Sequence, residues 1–268
     1  MTATATDVTH QAPLTHDEAM HLQATELERM LDLLRSLDDS AWSASTDCPE
    51  WDVHRMYLHV LGACEAGASL KENVHQMRAA RRHQKTDGGP LEAGLSAVQV
   101  RERLDVTPAA LVEQLAAVAP ITVRKRTRMP ALMRRMTMKV DGPVIERWRL
   151  GYLVDTIYLR DLWMHRVDAT RATGRDLVLS PGHDGHIVAD VVAEWARRHG
   201  RPFTLTLTGA AGGTYTSAPS AVLPQSTPPA PDGTATSPEP LELDAVEFCR
   251  ILAGRADGAG LLTTIVPF

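Results

Sequence analysis

Three cysteines in 268 residues, Cys48, Cys64 and Cys249, are too few and too odd in number for a disulfide-stapled fold, and no CxxC spacing marks a zinc ribbon. That usage suits a reducing cytoplasm, the expected compartment. The chain has no run of roughly 18 apolar residues, the length that spans a bilayer, and its opening MTATATDVTHQAPLTHDE lacks a basic segment leading into an apolar one. Neither membrane insertion nor classical export is expected. Positive charge is not in excess: 28 Lys and Arg face 33 Asp and Glu, a net charge of −5, so no global field gathers nucleic acid. A Walker loop, a dinucleotide-binding glycine fingerprint and a lipase-type nucleophile elbow are also missing.

What remains is an ordinary soluble composition, 44% hydrophobic and 23% charged, in a chain long enough for two modest domains. Residues 1–14 read as a flexible tail. Thr15 and Glu18 form a capping box that opens a helix, with Met20, Ala24, Leu27, Met30, Leu31 and Leu34 inward and Glu18, Glu26, Glu28 and Arg29 between them. Asp52 caps a second helix with Val53, Met56, Tyr57, Val60, Leu61 and Cys64 inward. Thr107-Pro108 opens a third, carrying Leu111, Val112, Leu115 and Val118, after a shorter helical piece around Val98 to Leu104. A long pattern from Leu150 to about Ala172 stops at Gly174. These predict a four-helix bundle over 15–178.

The texture changes beyond residue 175. Ser180-Pro181 opens a helix with Ile187, Val188, Val191, Val192 and Trp195 inward and Gly200 as its stop, and Phe203 to Thr208 alternates with a strand's period of two. Thr214 to Ser217 reads as the returning strand, and a further helix runs from Asp244 to Gly254. Seven of the 17 prolines fall between Pro219 and Pro240, marking a solvated loop. A small α/β domain over 179–268 follows, and the whole is α+β.

Asp161 and His165 are four apart, one turn along one helical face, a spacing at which two side chains can share a metal. Leu150, Val154, Ile157, Asp161, Met164, His165 and Asp168 form one stripe, so polar groups interrupt a surface that faces the core. A buried carboxylate and imidazole must be paired, hydrogen-bonded or metal-bound. A structural Asp–His pair and a metal site both satisfy that rule. His59 is the best-placed third ligand, about 60° around the second helix from inward-facing Met56.

Trp51-Asp52-Val53 with His59, followed by Arg160-Asp161-Leu162-Trp163-Met164-His165-Arg166-Val167-Asp168 and then Ala169-Thr170-Arg171-Ala172-Thr173-Gly174, resembles the DinB-like, mycothiol-dependent maleylpyruvate isomerase family. The later part is similar to that family's sterol-carrier-protein-like C-terminal domain, in Leu207-Thr208-Gly209, Gly212-Gly213, Glu247-Phe248-Cys249, Ala253-Gly254-Arg255 and Val266-Pro267-Phe268. The resemblance implies a divalent metal, usually zinc, on His59, Asp161 and His165, with mycothiol, a small sugar-linked cysteine cofactor, supplying a thiol. It departs at Asp161, where the family pattern has glutamate, one methylene longer. Arg255 matches an arginine implied to bind cofactor or an acidic substrate, as catalytic and cofactor-binding residue; a surface arginine at a helix end is the alternative. Arg160 and Arg166 flank the site as further cofactor-binding candidates.

Expected partners are a low-molecular-weight thiol and a small electrophile, without nucleic acid or membrane, in a monomer or homodimer. The chemistry is S-transfer or cis–trans isomerisation. A non-catalytic small-molecule carrier with a structural Asp–His pair is the alternative. The stretch 124–139 carries Arg124, Lys125, Arg126, Arg128, Arg134, Arg135 and Lys139 without an acid, interleaved with Met129, Met133, Met136 and Met138. It contains no aromatic residue to stack on bases, and reads as a loop bordering the cleft.

Overall fold

A computed structural model describes residues 5–9, 11–141, 145–217 and 240–268. The chain folds as two compact units, one of Leu14–Leu177 and one of Met1–Pro13 with Val178–Phe268. The opening residues are therefore more than a tail: Thr6–Asp7 forms strand β1.

In the Leu14–Leu177 unit, α1 (His16–Arg35) starts at the expected capping box, Thr15 N donating to Glu18 Oε2 at 2.8 Å and Glu18 N to Thr15 Oγ1 at 3.3 Å. Asp52 Oδ1 accepts from Arg55 N at 2.8 Å and opens α2 (Val53–Ala68), whose six predicted apolar residues are all buried. Next come α3 (Leu70–Asp87) and α4 (Leu91–Arg101). The sequence reading has no α3 and only the C-terminal part of α4. The helix α3 buries Gln76, Ala79 and Ala80 and presents no apolar stripe to read. Its inner face pairs two small alanines with a polar centre: Gln76 Nε2 donates to the Gly62 carbonyl and Gln99 Nε2 to Gln76 Oε1, each at 2.9 Å.

The Thr107 cap and Pro108 open α5 (Pro108–Thr127), which runs into the basic stretch. That stretch is not a loop: it continues as α6 (Ala131–Arg134) and β2 (Thr137–Asp141), which pairs antiparallel with β3 (Ile145–Arg149), Met138 opposite Trp148. A short α7 (Leu150–Tyr152) and a π-helical turn (Leu153–Ile157) lead into α8 (Tyr158–Thr173), so the predicted continuous helix is broken by one wide turn. Gly174, at φ 65°, closes α8 in the left-handed region. Leu27, Met30, Leu34, Met56, Tyr57, Leu61, Leu111, Leu115 and Leu162 meet in one core, joining α1, α2, α5 and α8.

The other unit packs α9 (Asp184–His199) and α10 (Ala245–Leu252) with a mixed sheet of order β1-β5-β4-β6, from β4 (Phe203–Thr208), β5 (Gly213–Ser217) and β6 (Leu241–Asp244). Strands β4 and β5 form the expected antiparallel pair, Leu205 opposite Tyr215, while β1 and β6 join in parallel. Trp195 lies at the centre, its ring 4.8 Å from Phe203 and 5.3 Å from Phe248, and its Nε1 donates to the Leu261 carbonyl. The proline-rich loop expected at 219–240 lies outside the described residues except for Pro240. The architecture is α+β, and among the described residues no helix is long and apolar enough to cross a membrane.

Candidate metal centre

Two helices of the Leu14–Leu177 unit bring His59, Asp161 and His165 together. His59 projects from the second turn of α2, while Asp161 and His165 sit one turn apart on α8. One donor atom from each lies within 4.8 Å of the others. His59 Nε2 is 4.0 Å from Asp161 Oδ2, and His165 Nε2 is 3.2 Å from Asp161 Oδ1. Trp51 stacks on the His59 ring at 5.1 Å, and the His165 backbone carbonyl accepts from the Tyr57 hydroxyl at 3.3 Å.

The rings carry an unmet demand. Both His165 nitrogens and His59 Nδ1 are sealed from solvent and make no hydrogen bond of acceptable geometry. Buried imidazole nitrogens in that condition call for a cation or a water between them. Burial pushes the His59 ring down to about 4, against the pull of Asp161 and with His165 adding repulsion. Burial also acts downward on His165, but Asp161 and Asp168 outweigh it and hold that ring up at about 9. Asp168, fully buried, has Oδ2 3.6 Å from His165 Nδ1. His165 thus lies between two carboxylates, one on each ring nitrogen, the arrangement in which an outer carboxylate orients a ligating histidine. The donor set of two imidazoles and a carboxylate, with buried nitrogens facing inward, fits a divalent ion such as zinc.

The arginines are distributed differently. Arg166 is held in a buried fork by Glu26, Nε to Oε1 at 2.5 Å and Nη2 to Oε2 at 3.1 Å. Glu26 is therefore not on an outer face, as its place in the α1 pattern suggested, but 0% exposed. Arg160 is buried on α8. Arg255 belongs to the other unit, just after α10, where its backbone N–H donates to the Arg250 carbonyl at 2.9 Å. Cys48, which the sequence reading left aside, donates its thiol to Asp168 Oδ2 at 3.9 Å. Its signal is weak, because Cys48 sits in an irregular segment far from Asp168 along the chain.

The family model described as the mycothiol maleylpyruvate isomerase N-terminal domain matches residues 23–170, more than half of the chain, and includes His59, Asp161 and His165. The chain belongs to that family. Two solved structures resemble this mycothiol maleylpyruvate isomerase family member along nearly its full length. One is a crystal structure of mycothiol-dependent maleylpyruvate isomerase, 15% identical with a TM-score of 0.55, covering 96% of this chain and 98% of that one. The other is a histidine-to-alanine mutant of mycothiol-dependent maleylpyruvate isomerase, 13% identical with a TM-score of 0.54, covering 92% and 93%. At such identities the likeness speaks for the fold. No curated protein matches the chain.

Proposed function

We propose that this family member is a metal-dependent enzyme that uses a low-molecular-weight thiol, mycothiol, on a small electrophilic substrate, as a cis–trans isomerase or an S-transferase. The observation that carries the reading is the convergence of His59, Asp161 and His165, with donor atoms within 4.8 Å and His59 Nδ1 and both His165 ring nitrogens buried without hydrogen bonds. Those three residues would hold the divalent ion, zinc by their chemistry. When bound, such an ion keeps a coordinated thiol in its nucleophilic thiolate form at neutral pH.

The chain's own residues prepare that chemistry. Asp168 Oδ2 stands 3.6 Å from His165 Nδ1, on the side from which a carboxylate would orient the ligating ring, leaving Nε2 toward Asp161 and His59. Trp51 covers one face of His59 and limits water there. Asp161 stands where the family pattern has glutamate; its shorter arm is matched here by a position 3.2 Å from His165. Arg160 and Arg255 are proposed to contact cofactor or substrate; Arg166 is committed to Glu26 and serves the fold. We assign residues 15–178 as the metal-bearing domain and 179–268 as the sterol-carrier-like one, in a cytoplasmic protein.

Elemental mass spectrometry of the untagged protein tests this directly. About one zinc per chain is expected for the wild type and a loss of most of it in His165→Ala, with mycothiol-dependent turnover of electrophiles lost in parallel. A protein that binds no metal on reconstitution, or a His165→Ala variant that retains a full equivalent, overturns the ligand set and leaves a carrier protein.

A further inference from the structure

Arg126 belongs to the basic stretch at 124–139, yet it is not a surface charge. It occupies the last turn of α5 and is only 5% exposed. A guanidinium does not deprotonate in a protein, so a buried one needs an anion or a full set of acceptors. Two other buried arginines of this unit follow the rule: Arg166 has Glu26, and Arg103 has Glu65 and Glu72. Arg126 differs. Its Nη1 donates to Gln23 Oε1 at 2.9 Å, its carbon lies 4.0 Å from the centre of the Tyr158 ring, and no carboxylate among the described residues reaches ion-pair distance. Gln23 is neutral, and its amide is pinned because Nε2 donates to the Val154 carbonyl at 2.6 Å. The positive charge is built in, oriented and, among the described residues, left without a counter-ion.

Its place in the unit gives that charge a use. Tyr158, on whose face it stacks, is three residues before Asp161 on α8, hence one turn away on the same side of the helix. Both Arg126 and Asp161 act on the hydroxyl of the half-buried Tyr158, in opposite directions. We infer that Arg126 is a recognition residue for a carboxylate of the small electrophile, held on the face of Tyr158, which stands one helical turn before Asp161. The planar guanidinium suits a carboxylate, which it can take through two parallel N–H donors, and Tyr158 backs it with a π face. The inference deepens the function proposed above by assigning it a specificity-determining residue, and rests on that reading for the site's identity.

The test uses the full-length protein, metal-free and zinc-loaded. Arginine Nε–H resonances are recorded by 1H–15N NMR during titration with succinate and with neutral succinamide, Arg126 being assigned through Arg126→Lys. The Arg126 signal is expected to move with succinate and stay still with succinamide. The succinate Kd is expected to rise at least about tenfold in Arg126→Gln, since a charge-assisted pair is worth roughly that factor or more. A silent Arg126 resonance, or wild-type succinate affinity in Arg126→Gln, overturns the assignment. The wild-type titration decides the matter even if Arg126→Gln fails to fold. Succinate binding through Arg126 in a protein that takes no zinc supports the carboxylate site while the metal reading fails; zinc binding with a silent Arg126 does the reverse.

Discussion

An imidazole ligates a metal only through a nitrogen that has lost its proton, so the two histidines of the centre enter the bound state from opposite sides. His59, at about 4, is neutral at pH 7, whereas His165, at about 9, is charged there. Zinc binding must therefore displace a proton from His165. The same shifts set the stability of the metal-free protein. His165 is raised in the folded state, so its contribution is complete below its unfolded value of about 6.5 and lost as pH rises through about 9. His59 is depressed, so its contribution is complete above about 6.5 and lost as pH falls toward about 4. In EDTA, the Tm measured by calorimetry is expected to peak near neutrality and fall on both sides, and His165→Gln is expected to flatten the alkaline limb. An unchanged alkaline limb in that variant would show that His165 is not held charged by Asp161 and Asp168.

At the scale of elements, α8 carries two of the three candidate ligands, and it is tied to α1 by a buried ion pair as well as by the apolar core they share. Glu26 and Arg166 are sealed together, both acceptors and two donors engaged. Removing one partner of such a pair strands the other charge in the core, at a cost of about 3–5 kcal/mol, while replacing both with apolar residues of similar size is close to neutral. Urea unfolding should show Glu26→Ala destabilised by about that amount and Glu26→Met with Arg166→Met recovering most of it. Equal losses in the single and double variants would mean that the pair itself stabilises α8 against α1. The π-helical turn just before α8 belongs to this scale as well: it shifts the helix register between Leu150 and Tyr158, and beyond it α8 is buried on all sides from Leu162 to Thr170 rather than along the one stripe read from the sequence.

For the whole molecule, a metal that binds only the folded chain adds to its stability by mass action. With free zinc at about 100 times its Kd, the gain is about 2.7 kcal/mol. Chelation is expected to lower the Tm of the wild type and to leave that of His165→Ala nearly unchanged. A wild-type Tm indifferent to both EDTA and added zinc would remove the metal from the account.

The helices α1, α2, α5 and α9 and the strand β4 were legible in the sequence because caps and apolar periodicity are local, and each of these elements has a side that differs chemically from the rest. The spacing of Asp161 and His165 was legible for the same reason, since one helical turn places them together whatever else the chain does. Their union with His59 needed the packing of α8 near α2, which no local pattern encodes. Helix α3 escaped notice because its inner face carries only the small Ala79 and Ala80 beside Gln76, whose amide is satisfied by Gly62 and Gln99, and so shows no periodic run of large apolar residues. Strand β1 escaped because two residues have no period, and their partners Tyr215 and Thr216 lie some two hundred positions away. Only the tertiary structure separates Arg166, neutralised by Glu26, from Arg126, which has no carboxylate beside it among the described residues. A sequence shows that a residue carries charge; whether that charge is spent on the fold or kept for a ligand depends on which distant side chains burial brings to it.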